Sequence, residues 1–208
     1  MDIPAIFNAL ENTVLFSEQL LPIWLVLCLV VLQVTDRGAV LMPSLLVTFV
    51  LIGIAVSRVA MPHIAFGVWV FGLFVVLILY LSLRGLPHRD PVKLMLQEYG
   101  YRLLIGLALG IMAALLGYFT QFPSGSAVIA SIVWPLGILG LLRFGIAKRG
   151  LEMGIGVLLV LAAVGVWLMS INDSPIILGL WSAGSIFLAL AIGWLTDRTE
   201  GPTAEAMF

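Results

Sequence analysis

The sequence predicts an all-α polytopic membrane protein of seven transmembrane helices, and three observations carry that expectation. Of the 208 residues, 62% are hydrophobic and only 10% charged, and the mean hydropathy is +1.19. Apolar runs close to the roughly 20 residues that a helix needs to cross the hydrocarbon core recur along the chain. Short breaks rich in Gly, Pro, Ser, Asn and Asp separate them. Little chain remains for a soluble catalytic domain. The single cysteine, Cys28 in mid-span, excludes an internal disulfide and any cysteine-clustered metal site.

Residues 1–18 carry Asp2, Glu11 and Glu18 and no Lys or Arg. A secretory signal needs a basic start, so this stretch is expected to be a short surface segment leading into the first span. Uninterrupted apolar stretches place the spans at 19–35, 39–58, 62–83, 102–120, 126–144, 150–170 and 175–196. Between the third and fourth spans, residues 86–101 form a linker in which Val92, Met95, Leu96 and Tyr99 share one helical stripe. That is the pattern of an amphipathic helix lying on the membrane surface. Ser174 and Pro175 make an N-cap and first-turn pair for the last span, and residues 197–208 form a short polar tail.

Orientation follows from the basic residues. Arg37, Arg84, Arg89, Lys93, Arg102, Arg143, Lys148, Arg149 and Arg198 fall on one side of a seven-span chain, and Arg58 falls on the other with Asp2, Glu11, Glu18 and Asp173. The positive-inside bias then puts the N-terminus outside and the C-terminus in the cytoplasm, with the linker on the cytoplasmic face. The expected location is a plasma membrane, the inner membrane of a bacterium.

A spacing repeats across the chain. Arg37 and Arg149, Gly38 and Gly150, Gly53 and Gly165, Ile64 and Ile176, Gly67 and Gly179, Trp69 and Trp181, and Gly72 and Gly184 are all separated by 112 positions, with no gap. This predicts a parallel three-plus-one-plus-three internal repeat, with three-helix units over 19–85 and 126–196 and the span over 102–120 as the linker helix between them. The linker span carries Gly106, Gly110 and Ala114 at successive i, i+4 positions, a small-residue ridge that serves as a helix–helix seam, either internal or between two copies.

The repeated stretches are GVWVFGLF and GLWSAGSIF. Trp69 lies about 10 Å into its span, at 1.5 Å per residue, deeper than an interfacial tryptophan. Trp69, Trp181, Gly67, Gly72, Gly179 and Gly184 are therefore candidates for a packing unit at the repeat interface, or for the aromatic walls of an axial pocket with hydroxyls from Ser182 and Ser185. Gly72, one turn from Trp69, leaves room beside the indole.

Chemistry is conspicuous by its absence in mid-span, where no Asp, Glu, Lys, Arg or His lies. Intramembrane ionisable groups mark proton relays and ion paths, so a pump or ion-coupled carrier acting alone is not expected. His63 and His88 are too far apart to meet at one haem iron. The PSGSAV loop offers serines without a nearby histidine base. No phosphate loop, zinc spacing or nucleic-acid-binding pattern occurs. The chain is expected to be no enzyme, with no catalytic, cofactor-binding or metal-binding residues, no cofactor and no nucleic-acid partner. Its expected partners are the lipid bilayer and other membrane subunits.

Two functions fit. In the first, the protein is a non-catalytic subunit or assembly component of a larger membrane complex of ion-translocating, redox or antiporter type. Each repeat, with an arginine-containing turn after its first span, resembles in layout the small three-span subunits of complex I and of multisubunit cation/proton antiporters. In that family the second span carries a buried glutamate after a Gly-Leu pair; the nearest positions here hold Val47 and Leu159. In the second, the protein is a small-solute transporter. Its plan is similar to that of the SWEET sugar transporters, with parallel triple-helix repeats, an outside N-terminus and Pro22, Pro43 and Pro135 in spans one, two and five. That family's Pro-Gln loop pair, the proline of span six and the asparagines of spans three and seven are missing, so a pocket here would suit an apolar solute.

Overall fold

The computed structural model describes residues 20–35, 38–84, 96–120, 127–147, 149–172 and 174–200. The expected surface segment over 1–18, most of the 86–101 linker and the end of the tail lie outside the described residues. Among them the chain is all-helical: α1 (Leu20–Val34), α2 (Gly38–Ser57), α3 (Pro62–Arg84), α4 (Leu96–Phe119), α5 (Ala127–Ile146), α6 (Gly150–Ile171) and α7 (Pro175–Glu200). Six of these, α2 to α7, are long and apolar enough to cross a membrane. Helix α1 has 15 described residues, about 22 Å at 1.5 Å per residue.

The breaks act where local chemistry puts them. Ser174 Oγ accepts the N–H of Ile176 at 3.3 Å, an N-cap immediately before Pro175 in the first turn of α7. At the end of α6, Asn172 is extended and its N–H returns to Leu168 O. Nothing comparable interrupts the stretch before Tyr101, so residues 96–101 continue the helix of the fourth span. Gly100 is within it, since one glycine costs a helix only about 1 kcal/mol. Pro43 and Pro135 sit inside α2 and α5.

Consecutive helices pack as antiparallel neighbours except at α3–α4, and long-range contacts join α1 to α4 and α5, α2 to α5 and α6, and α3 to α7. Helices α3 and α7 run the same way in register: a methyl group added at Gly67 would meet Leu178 at one end, and one added at Gly193 would meet Ser82 at the other. One continuous core joins the two triplets, with Leu25, Leu29, Leu45, Ile52, Ile64, Leu79, Leu136, Leu139, Ile155 and Leu159 all at most 2% exposed. Helix α2 is the most enclosed, 61% of its span being buried. Helix α4 is the most peripheral at 22%, with Leu104, Met112 and Phe119 turned outward. Large apolar side chains ring the outside, the arrangement of an integral membrane protein whose solvent is lipid.

Helix α4 fills the groove between α1 and α5. Gly106 faces Gln33 and Val30 of α1, and Gly110 faces Val26 and Leu139. The same face continues through Ala113, which is 1% exposed, to Gly117, where an added methyl would collide with the main chain of Ala130 and Ser131. Ala114 stands half-buried beside this line. Trp134 Nε1 donates to Thr120 Oγ1 at 3.1 Å and fastens the same end of α4 to α5.

Candidate functional site

The tryptophans of the repeated stretches are bound to the preceding helix of their own triplet. Trp69 Nε1 donates to Val50 O on α2 at 3.0 Å, and Trp181 Nε1 donates to Leu161 O on α6 at 3.0 Å. What admits each indole is a glycine on that helix. A methyl added at Gly53 would fall on the Trp69 ring, and one added at Gly165 would fall on the Trp181 ring. A side chain at either position would hold the indole off the helix backbone and break its hydrogen bond. Both glycine contacts are made by residues 16 positions apart and are related by the same 112-position spacing, whereas the acceptor carbonyls, Val50 and Leu161, lie 19 and 20 residues before their tryptophans.

The glycines flanking the tryptophans serve otherwise. Gly72 faces Phe49 of α2 and Gly67 faces Leu178 of α7, whereas Gly179 and Gly184 have no neighbour within 4 Å of an added methyl. Ser182 and Ser185 are buried, but their hydroxyls donate to the carbonyls of Leu178 and Trp181 in their own helix. Thr48, Ser82 and Thr196 do the same with Ser44, Ile78 and Ile192. Such back-bonding satisfies a hydroxyl without a ligand. The structure thus brings Trp69 to Gly53 and Trp181 to Gly165, each on the preceding helix of its own triplet. A shallow apolar groove of about 260 Å³ lies elsewhere, between α5 and α6, walled by Trp134, Gly137, Ala163 and Trp167.

A second constellation went unremarked in the sequence. Arg143 lies within the last turn of α5 and is 2% exposed, and Glu152 lies in the first turn of α6 and is 7% exposed. Arg143, expected at the fifth connection, and Glu152, inside the expected sixth span, are thus held inside the bundle at its basic end, the end that also carries Arg102 and Arg149. Inserting an arginine into the apolar centre costs about 3 kcal/mol on the translocon scale, which is why such groups face the bundle interior and pair. Arg143 Nη2 donates to Thr35 O, just past the end of α1, at 3.3 Å. Gln33, 0% exposed on α1, returns the contact by donating Nε2 to Leu139 O of α5 at 2.6 Å. Gln33 Oε1 accepts no hydrogen bond from any described residue.

Glu152 follows Gly150 and Leu151 directly and places a buried carboxylate in the first turn of α6, two turns before Leu159. The position 112 residues upstream is Val40, so the feature occurs once. The signal available in the sequence was this acid among the basic residues of one membrane side. No group of three or more metal-binding side chains forms among the described residues. Comparison with protein-family models, characterised proteins and solved structures finds no match.

Proposed function

We propose that the chain is a non-catalytic, membrane-embedded subunit of a larger membrane complex of ion-translocating or antiporter type. The observation that carries this reading is the burial of Arg143 and Glu152 inside an otherwise apolar bundle. A bundle that needed only to fold would keep these two charges in water, because taking a charge out of water costs several kcal/mol that its partners rarely repay in full. The likeness with the three-span subunits is one of layout, and Glu152 lies two turns before the position aligned with that family's glutamate. Orientation with the basic end in the cytoplasm follows the positive-inside bias. A duplicated ancestor accounts for the 112-position spacing: the paired helices α2 and α6 start at Gly38 and Gly150, and each triplet has its own tryptophan dock.

The chain's contribution would be electrostatic and structural, two charged side chains held inside the bundle with lipid-facing helices available to neighbours. In vesicles containing the assembled complex, Glu152→Gln should depress coupled cation or proton movement while leaving the amount of assembled chain unchanged. Undiminished ion movement in that variant would remove the reason for assigning Glu152 a part in it. The small-solute transporter is less favoured, because the indoles and the hydroxyls that would line its pocket are engaged within their own triplets.

A further inference from the structure

The two hydrogen bonds that tie α1 to α5 sit at one end of the bundle. Gln33 Nε2 reaches Leu139 O, and Arg143 Nη2 reaches Thr35 O. These bonds are unlike the rest of the packing between the triplets. The α3–α7 seam is apolar and closed at both ends, at Gly67 against Leu178 and at Gly193 against Ser82. Helix α4 is fixed to α5 at the far end by the Gly117 approach and the Trp134–Thr120 bond. At the basic end it meets α1 only at ordinary van der Waals distance, 3.5 Å or more between a Gly106 methyl and Gln33. The basic ends of α1 and α5 are therefore joined through polar groups, whose bonds water can replace if the ends part.

We propose that Gln33 and Arg143 form a latch that opens the basic end of the bundle to water. The closed latch is incompletely satisfied. Gln33 is fully buried, yet only its amino group is bonded, and Oε1 has no donor among the described residues. A buried acceptor without a partner forfeits more than a single hydrogen bond returns. When the ends of α1 and α5 separate, water reaches the amide and fills that acceptor, while Leu139 O keeps its helical partner. Closed and open states are thereby brought close in free energy, as a two-state element requires. In the open state water from the basic end has access to Arg143. The latch is independent of whether the chain joins an assembly.

The test is the distance between spin labels on the full chain in lipid nanodiscs, with Cys28 replaced by alanine. One label replaces Val31 on α1 and the other Leu141 on α5, both exposed positions near the latch. A control pair replaces Tyr80 on α3 and Leu195 on α7, across the seam. The latch requires two distances for the first pair and one for the control. Gln33→Met, which keeps the side chain's length but removes its need for water, should then lower the long-distance population roughly threefold or more. A purely structural hydrogen bond gives the opposite result, since its loss loosens the ends and raises that population. A single distance in the unsubstituted chain, a rise or no change in Gln33→Met, or parallel broadening of the control pair would each overturn the proposal.

Discussion

Trp69 and Trp181 make the same contact in the two triplets, yet their surroundings differ. Trp181 is 6% exposed and belongs to the core, whereas Trp69 is only half-buried. The glycines beside them diverge too: Gly67 and Gly72 are filled by Leu178 and Phe49, and their counterparts Gly179 and Gly184 face open space. At the other end, Arg143 and Glu152 have no charged counterparts, since the positions 112 residues earlier hold Val31 and Val40. What is common to the triplets is the packing of the third helix on the second. What differs is the Gly72–Phe49 approach inside the first triplet, together with the contacts that each triplet makes with the rest of the bundle or its surroundings. A spacing preserved in the glycine–tryptophan contact points to packing as the reason for the repeated tryptophans, and it directs attention to the unshared residues for function.

This contrast can be broken by substitution, and unfolding in mixed detergent micelles reads the result. The largest effect is expected for Trp181→Ala, about 3–5 kcal/mol as for other buried aromatics. Trp69→Ala should cost distinctly less because part of its surface already faces outward. Equal losses would mean that burial does not distinguish the docks. Gly165→Ala and Gly53→Ala come next, at about 1–3 kcal/mol each from overpacking, and each should shift the emission of the tryptophan it displaces. Phenylalanine in place of either tryptophan keeps most of the packing and loses one interhelical hydrogen bond, about 0.6 kcal/mol in a membrane. Smallest of all, Gly179→Ala and Gly184→Ala should be neutral or slightly stabilising, as alanine gains up to about 1 kcal/mol of helix propensity where nothing is displaced. Gly72→Ala, at the equivalent position, should by contrast be destabilising because of Phe49. A cost at Gly184 as large as at Gly72 would contradict the asymmetry.

Much of the helical plan was legible in the sequence because membrane spans announce themselves by length and by what stops them. Ser174-Pro175 marked the start of α7, and the Arg149-Gly150 turn marked the start of α6, with no tertiary information needed. The fourth helix was less legible: its first turns, from Leu96, look amphipathic, and amphipathicity alone does not separate a surface helix from the polar end of a spanning one. The tryptophan docks were half legible. Gly53 and Gly165 stood in the same 112-position series as the tryptophans, but the nearest glycine along the helix, Gly72, was the one a local reading places beside the indole. Contact between α2 and α3 is tertiary, and helical spacing within one element does not report it. The polar cluster was hidden for a different reason. Arg143 and Glu152 lie within a turn of helix ends, where a charge ordinarily reaches water, and only the packing of α5 and α6 into the bundle buries them.

The measurement bearing most directly on the subunit proposal is the native mass of the chain after extraction in mild detergent from membranes that express it at its own level. The proposal predicts that it migrates with other integral membrane chains in a fixed ratio, identified by mass spectrometry of the same band. A free monomer or dimer that takes up solute when reconstituted in liposomes would contradict it.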